Sequence, residues 1–342
     1  MRMRPRDISI NLGLLLITII LFFGGIEATL RLTGLVTVKP NPPKIFQQSA
    51  VPDISYELKP NITEHAFRST VTTNSLGFRS AEVDSTKPMI AFLGDSITFG
   101  YGLEDAETIT SRIQSELPGW NILNTGAPGY NLIQQTAVYR EKVKKLDPKA
   151  IVLIFHFNDV EEVGLELAHL DDQGILRPQG WEPSEELCAP PETGILALVP
   201  GKCWLDLHSA LYKGIKKYVN ARQGSRDLEQ QEQEAKANAF TENIADTNLE
   251  QYGIYLAKLR AELPEGLPRL FVIWPERHLH FIARPKLRSL AEANGFHVLD
   301  LYEVFGNEAE TLSWDTVHPS SRSAEKGAQV IKAALEHYGF FD

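Results

Sequence analysis

Strands and helices alternate along most of this sequence, which predicts an α/β protein built as a three-layer α/β/α sandwich around a mainly parallel sheet. Short, continuous apolar runs of the kind found in buried parallel strands recur along the chain, and helix-like patterns separate them. The composition agrees, since 342 residues with 43% hydrophobic and 23% charged residues are ordinary for a globular protein. These values exclude a disordered chain, collagen and a pure coiled coil.

Five apolar runs are predicted to form the sheet: residues 89–93, 121–123, 150–155, 270–274 and 297–301. The helices predicted after these runs are 106–117, 132–146, 243–263, 286–293 and 321–338. A shorter alternating stretch at 66–73 predicts one further strand ahead of the sheet, followed by a turn at 74–77.

Residues 160–245 interrupt this alternation and are interpreted as an insertion in a domain that spans 61–342. The segment contains five prolines, a predicted helix at 205–218 and the polar tract 223–236. Its polar composition predicts a partly solvated and partly mobile segment.

The N-terminal segment is apolar enough to cross a membrane. Residues 8–26 form a run of 19 without a charge, close to the roughly 20 that a transmembrane helix needs. Arg2, Arg4 and Arg6 precede this run, so the positive-inside rule predicts a cytoplasmic tail at 1–7, a transmembrane signal-anchor at 8–30 and an exported body. A cleaved signal peptide is the alternative, and the lack of an A-x-A-like site favours the anchor. Five prolines between 39 and 60 predict an extended stalk over 31–60.

The net charge and the number of cysteines exclude several kinds of binding partner, metal site and disulfide scaffold. The formal net charge is −10, from 34 Lys and Arg against 44 Asp and Glu, so no nucleic-acid partner is expected. Two cysteines exclude a disulfide-dense scaffold and a four-cysteine zinc site. In an oxidising compartment Cys188 and Cys203 could pair, and their Pro-rich surroundings favour a disulfide over two free thiols.

The loop after the first apolar run carries a candidate nucleophile. Gly94 allows a sharp turn, and Asp95 is a supporting residue beside Ser96. Ser96 stands where the strand gives way to a helix, so that the helix dipole and free backbone N–H groups would stabilise a developing oxyanion. An ordinary helix-capping serine is the alternative.

Two later loops supply candidate oxyanion donors. Gly126 follows the second run, and without a side chain its N–H is expected to be open to a ligand. Asn158 follows the third run and could present its side-chain amide to the same oxyanion. Plain turn chemistry is the alternative at both positions.

A candidate acid–base pair lies near the end of the chain. His318 is a plausible general base, since the free imidazole titrates near neutrality. Asp315, three residues earlier, could bind the other ring nitrogen and hold the required tautomer. The nucleophile, the two donors and this pair occur in order, each after a predicted strand. No G-x-S-x-G elbow surrounds Ser96, which excludes a typical α/β-hydrolase.

These four blocks resemble those of the SGNH (GDSL) hydrolase superfamily. They are Gly94-Asp95-Ser96, Gly126, Asn158 and Asp315-x-x-His318. The match extends through Ile97-Thr98-Phe99-Gly100-Tyr101-Gly102 and covers about three quarters of the chain. The apolar N-terminus and Asn74-Ser75-Leu76-Gly77-Phe78-Arg79 resemble bacterial membrane-anchored members. The resemblance implies a flavodoxin-like α/β sandwich.

One position departs from the family pattern. The third block is usually Gly-x-Asn-Asp, and here His156 replaces the glycine. His156 is interpreted as a structural residue, with a substrate contact as the alternative. His278 and His280 follow the fourth predicted strand and are interpreted as rim or substrate-pocket residues, because no organised metal-ligand cluster is visible.

The resemblance implies a serine esterase that works through an acyl-serine intermediate and needs no metal or other cofactor. Ser96 would attack, His318 would take the proton, and Ser96, Gly126 and Asn158 would hold the oxyanion. The expected substrate is a small acyl ester, including acetyl groups on glycans, and the enzyme would face the periplasm from the inner membrane. An O-acyltransferase that modifies an envelope or secreted polysaccharide and a non-catalytic envelope scaffold or binding protein remain alternatives.

Overall fold

In the computed structural model, residues 5–36, 42–162, 167–172, 174–177, 196, 198–242 and 244–341 are described. The eleven strands of this part of the chain are β1 (Phe46–Gln48), β2 (Tyr56–Leu58), β3 (Thr63–Ala66), β4 (Ser69–Thr72), β5 (Met89–Leu93), β6 (Asn121–Asn124), β7 (Ala150–Phe155), β8 (His169–Leu170), β9 (Leu176–Arg177), β10 (Arg269–Ile273) and β11 (His297–Asp300). Its α-helices are α1 (Pro5–Leu32), α2 (Ser96–Phe99), α3 (Ile109–Glu116), α4 (Leu132–Val138), α5 (Asn158–Glu162), α6 (Lys202–His208), α7 (Ala210–Ala237), α8 (Asp246–Glu262), α9 (Ala283–Ala293), α10 (Tyr302–Phe305) and α11 (Ser321–His337).

Five parallel strands form the central sheet, in the order β11-β10-β7-β5-β6. All five correspond to the apolar runs, and their ends differ from the expected bounds by at most one residue. The inner strands β5, β7 and β10 are almost entirely apolar because both faces of the sheet are covered, whereas the outer strands β6 and β11 also contain polar residues. The prediction of a mainly parallel sheet is confirmed.

Helices cover both faces of this sheet, and the side chains of each strand alternate between two cores. On one face Ala91 and Leu153 pack with residues of α4, α8 and α9, including Leu256 and Leu287. On the other face Phe92 packs with residues of α3 and α11. This period-two alternation is a property of the extended backbone, and the three-layer α/β/α sandwich is confirmed.

The predicted helix at 132–146 is helical throughout and changes its winding. It runs from α4 into a π-helical turn at Tyr139–Val143 and a 3-10 turn at Lys144–Leu146. Asn131 begins it with a capping box, because its side chain accepts the N–H groups of Ile133 and Gln134 while Gln134 binds back to the Asn131 N–H.

Residues 31–60 are only partly the stalk that their prolines predict. From residue 43 the chain belongs to the compact body, where β1 and β2 pair as an antiparallel hairpin. Ile45, Ile54 and Tyr56 are fully buried in the core of that body. The stalk prediction is therefore wrong for this part, because buried apolar side chains outweigh the extended preference of the prolines. Residues 37–41 lie outside the described residues.

The stretch 66–73 is also different from its expectation. Its strand, β4, begins only at Ser69, and Ala66 is the last residue of β3, which pairs with β4 as a hairpin. The two-residue turn consists of Phe67 and Arg68, with φ of 53° and 64°. These values suit the twist of a tight hairpin, although neither residue type signals such a turn.

The insertion contains regular structure that its polar composition did not indicate. The helix predicted at 205–218 divides into α6 and α7, and α7 continues through the whole polar tract 223–236. The tract is helical because glutamate, lysine and glutamine are all good helix formers. Its expected mobility stays a prediction.

The N-terminal helix α1 belongs to one compact unit together with the described residues between 196 and 227. Its segment Ile10–Leu32 has a mean hydropathy of 2.1 and is unburied, so it is long and apolar enough to cross a membrane, as an anchor or as a signal sequence. Within this unit Glu27 accepts the N–H groups of Ala210 and Leu211, the first residues of α7, at 2.8 Å each. Cys203 is disulfide-bonded; Cys188 lies outside the described residues, so their pairing stays a prediction.

Candidate active site

The order of the strands brings the candidate loops together at the edge of the sheet formed by the carboxyl ends of its strands. The strands β6, β5 and β7 are neighbours and parallel, so the loops that follow them leave the same edge side by side. These are the loops of Gly126, Ser96 and Asn158. The next strand, β10, brings 275–280 to the same edge.

Ser96 sits on a tight strand-to-helix turn. Gly94 has φ of 151°, and a Cβ there would lie 2.8 Å from the Ile154 carbonyl oxygen on the neighbouring strand, so only glycine fits. Asp95 caps the single-turn helix α2, because its carboxylate accepts the Ile97 N–H at 2.9 Å. Its other oxygen lies 3.3 Å from the Ser96 hydroxyl.

Ser96, His318 and Asp315 form a hydrogen-bonded series. The Ser96 Oγ lies 2.9 Å from His318 Nε2, and His318 Nδ1 lies 2.7 Å from Asp315 Oδ2. Ser96 and His318 are separated by 222 positions in the chain. The geometry suits a serine that donates to a histidine whose opposite nitrogen donates to a carboxylate.

Asp315 is held as a carboxylate. Burial raises its pKa, but hydrogen bonds from the ring and the backbone N–H of His318, the charge of His318 and the Val317 N–H outweigh burial and lower the pKa to about 2. Its second oxygen accepts both N–H groups, at 2.9 Å and 2.6 Å. The same carboxylate therefore shapes its own loop and orients the imidazole.

An aromatic ring that the sequence analysis did not select supports His318. Tyr101 stacks on the imidazole with ring centroids 4.1 Å apart, and Phe67 from the β3–β4 turn lies against Tyr101 at 4.4 Å. Tyr101 stands five residues after Ser96 in the Gly100-Tyr101-Gly102 sequence. Its proximity to the nucleophile in the sequence was the one available signal.

Buried Arg79 holds the loop that carries Tyr101. Its guanidinium donates to the carbonyl oxygens of Phe99, Gly100, Leu103 and Thr70 and to the carboxylate of Asp105. Burial lowers the pKa of Arg79, and the charge of Asp105 opposes this effect. The motif that ends in Arg79 therefore acts on the site through the 99–103 backbone.

Gly126 does not have the open N–H that was expected. Its N–H donates to Asn124 Oδ1 at 3.1 Å, and a Cβ there would lie 2.5 Å from the Phe99 backbone nitrogen. Gly126 thus allows the β6 loop to pack against α2. Within the described chain, the N–H groups with no acceptor in this loop are those of Ala127 and Gly129.

Asn158 is the first residue of α5, three residues after the end of β7, and its side chain contacts His156. His156 Nδ1 is 2.6 Å from Asn158 Oδ1, and the Asn158 Nδ2 has no partner in the described part of the chain. The His156 ring is buried. It therefore contacts a candidate oxyanion donor, which neither a purely structural nor a substrate-contact interpretation anticipated.

His278 and His280 surround Glu276 and do not form an open rim together. The His280 side chain is fully buried, with Nε2 2.6 Å from Glu276 Oε1. His278 is partly exposed and lies 3.5 Å from the same carboxylate. Burial of His280 contradicts its assignment to the rim. Among the described residues, no group of three His, Cys, Asp or Glu side chains could hold a metal ion.

Comparisons with known proteins show distant structural likenesses. No family model matches the chain, and no curated protein matches it. A lipase/acylhydrolase from Enterococcus faecalis is 12% identical, with 73% of this chain and 96% of that chain covered and a TM-score of 0.41. An acetylxylan esterase from Geobacillus stearothermophilus is 16% identical, with 73% and 93% covered and a TM-score of 0.39. At these values the likenesses assign no activity to this chain.

The fold is established by the chain's own sheet order and helix layers. At the carboxyl edge of that sheet the described residues place a serine, a histidine and an aspartate in a hydrogen-bonded series. The loop after the neighbouring strand β7 leads to Asn158, whose Nδ2 has no partner among the described residues.

Proposed function

We propose that this chain is a serine-dependent carboxylic ester hydrolase of the SGNH type. The observation that supports it best is the Ser96–His318–Asp315 series, in which residues far apart in the sequence meet with the distances that acyl transfer requires. Asp315 is ionised and can stabilise the imidazolium that forms when His318 accepts a proton.

The reaction follows from these contacts. The Ser96 Oγ attacks the ester carbonyl carbon as His318 Nε2 takes its proton, which forms a tetrahedral oxyanion. The C–O bond to the alcohol breaks, and His318 returns the proton to the leaving alkoxide. Water then attacks the acyl-serine with His318 as base again, and the acid and free Ser96 are released.

Three donors are proposed for the oxyanion. Among the described residues, the N–H of Ser96 has no acceptor and the Nδ2 of Asn158 has no partner. The third donor is assigned to the loop after β6, to the N–H of Ala127 or Gly129 in place of the engaged N–H of Gly126. One such donor is worth about 10²–10³ in kcat.

The proposed substrate is a small acyl ester, including an O-acetyl group on a glycan, and the proposed location is the periplasmic side of the inner membrane. Segment 8–30 would serve as the anchor, with the arginines of the N-terminal tail in the cytoplasm. After extraction with alkaline carbonate, the full-length protein should stay in the membrane pellet. Its release into the supernatant would contradict the anchor.

The function is tested with the full-length protein in a non-ionic detergent. Hydrolysis of p-nitrophenyl esters from acetyl to octanoyl is measured for the unsubstituted protein, for Ser96→Ala and for Ser115→Ala, an exposed helical serine as a matched control. We expect turnover that is lost only in Ser96→Ala and that falls with chain length. Turnover that persists in Ser96→Ala would contradict the proposal.

The alternatives give different outcomes in the same assay. A stoichiometric acyl group on Ser96 without turnover would indicate an O-acyltransferase that awaits its acceptor. A folded protein with neither turnover nor adduct would indicate a binding or scaffold protein.

A further inference from the structure

We propose that His156 is a positioning residue that fixes the side-chain amide of Asn158 with its NH₂ group towards the oxyanion, and that Glu276 and His280 hold His156 in place. The inference rests on the proposed function and adds a series of supporting side chains to its oxyanion site. His156, Glu276 and His280 take no direct part in the proposed reaction steps.

The first step is the amide of Asn158. An asparagine side chain has an acceptor end and a donor end, and the amide alone can rotate to present either one. The short contact of 2.6 Å joins His156 Nδ1 to Asn158 Oδ1. If Nδ1 carries the proton, the oxygen is held by His156 and the NH₂ group must face away from it. The Nδ2 has no other partner among the described residues, so it is free to bind an oxyanion.

The second step is the fixed position of His156. Its side chain is 4% exposed, at the end of β7. Its backbone N–H donates to Asp159 Oδ2 at 3.1 Å. Its Nε2 makes no hydrogen bond among the described residues, and Glu276 Oε2 lies 3.6 Å from it, an ion-pair distance for a protonated ring. The Asn158 backbone nitrogen also lies 3.4 Å from Nδ1, but the much shorter contact of Nδ1 with Asn158 Oδ1 favours a ring that donates to that oxygen.

The third step is Glu276, which β10 brings beside β7. Burial raises the pKa of Glu276, but the hydrogen bond from His280 and the charges of His156, His280 and His278 outweigh it and lower the pKa. The group is thus held as a carboxylate, which is the form that attracts the His156 ring. Burying such a carboxylate is costly unless it is paired, and His156 and His280 provide the pairing.

The fourth step is His280, which locks Glu276. Its Nε2 lies 2.6 Å from Glu276 Oε1, and its Nδ1 lies 3.3 Å from Glu242. The ring stacks on Phe157 at 3.8 Å between centroids. His280 also has φ of 46°, a costly backbone for a residue with a side chain, which persists only where surrounding contacts impose it. A continuous series Asn158–His156–Glu276–His280 results.

The test compares two amide substitutions of His156 in the full-length protein. Asparagine can place its NH₂ group near the position of the His156 Nδ1, whereas glutamine places it near the position of Nε2. We expect His156→Asn to keep kcat within about threefold, and His156→Gln to lower kcat at least about tenfold, since the donor it misdirects is worth about 10²–10³. KM for p-nitrophenyl acetate should change less than about twofold, because the donor acts in the transition state.

A double substitution separates positioning from a structural role. In an Asn158→Ala background, His156→Gln should lower kcat by less than about twofold more, since the amide it orients is already gone. If His156→Gln lowers kcat by the same factor with Asn158 present and with Asn158→Ala, the proposal is overturned. So would a His156→Asn protein as impaired as His156→Gln while its unfolding temperature matches the unsubstituted protein.

A spectroscopic readout is independent of esterase activity. In the full-length protein with ¹⁵N-labelled histidine, the His156 Nδ1–H proton should be observed and far downfield, absent in His156→Gln and shifted in Asn158→Ala and in Glu276→Gln. A shift in both variants supports the series even if the unsubstituted protein hydrolyses no ester, a result that would count against the proposed function alone. A signal insensitive to Asn158→Ala would overturn the positioning role.

Discussion

Tyr101 and His318 stack almost parallel, with ring centroids 4.1 Å apart and an interplanar angle of 23°. The contact joins the loop of the nucleophile to the loop of the base, whose residues come from opposite ends of the domain sequence. Behind Tyr101 lies Phe67 of the β3–β4 turn. The imidazole is thus oriented from two directions, by the Asp315 carboxylate in its plane and by an aromatic face.

Removing the Tyr101 ring should lower the catalytic rate more than it lowers the free energy of unfolding. A contact between aromatic rings is worth about 0.5–1.5 kcal/mol, so Tyr101→Ala should lower kcat/KM for p-nitrophenyl acetate about 2- to 10-fold. Tyr101→Phe keeps the ring and serves as the matched control, with activity close to that of the unsubstituted protein. Equal activity of the alanine and phenylalanine variants would show that the stack does not position His318.

Asp315→Asn should nearly abolish hydrolysis. The substitution removes the negative charge opposite the forming imidazolium and allows the wrong tautomer of His318, an effect of about 10⁴ in kcat for such triads. Steady-state kinetics with p-nitrophenyl acetate measure it. The exposed aspartate of α7 provides the control, Asp227→Asn, which should retain full activity. A loss below about tenfold for Asp315→Asn would remove Asp315 from the catalytic series.

Asp315 should also make stability sensitive to acid. Its pKa is lowered from 3.8 to about 2 in the folded protein, so its contribution to the free energy of unfolding is fully present above about pH 4. That contribution is lost as the pH falls towards 2. Chemical unfolding of the unsubstituted protein and of Asp315→Asn should therefore differ most near pH 5 and converge only as the pH falls to about 2 and below. A difference that is constant with pH would contradict the assigned ionisation of Asp315.

Arg79→Lys should destabilise the domain although it keeps the charge. A lysine cannot bind the four carbonyl oxygens and the carboxylate that the planar guanidinium reaches. Breaking such a buried network costs about 3–5 kcal/mol in the free energy of unfolding. Arg140→Lys is the control, since Arg140 makes exposed ion pairs with Asp53 and Glu141, and should cost less than about 1 kcal/mol. Urea unfolding of both variants distinguishes these values.

Gly126→Ala tests whether Gly126 acts through packing. The new methyl group would lie 2.5 Å from the Phe99 nitrogen and 2.8 Å from the Asp95 carbonyl oxygen, so α2 would have to shift at a cost of about 1–3 kcal/mol. The shift also moves Ser96, so activity should fall with stability. Gly119→Ala meets no atom within 4 Å and should change neither. Unaltered unfolding and activity of Gly126→Ala would contradict the close packing.

Much of this architecture could be predicted because its cause is local. Buried parallel strands need apolar residues at most positions, so the five strands of the sheet could be located in the sequence with ends correct to one residue. The hairpin turn at Phe67 and Arg68 was not visible, since positive φ at such residues is imposed by the packing of the hairpin. The helical form of 223–236 was not predicted, because its polar composition was interpreted only as that of a partly solvated and partly mobile segment.

The sequence by itself determined the sheet, the apolar N-terminal helix and the residue types that can perform acyl transfer, because these depend on patterns along the chain. The tertiary structure decided which of those residues meet. It brought His318 to Ser96, 222 positions apart in the chain. It engaged the N–H of Gly126 in a hydrogen bond to Asn124, and it buried His280 against Glu276. It also placed Tyr101 against His318, Arg79 against the backbone of the Tyr101 loop and His156 against Asn158. Such contacts depend on sheet order and side-chain packing, which join segments that the sequence keeps apart.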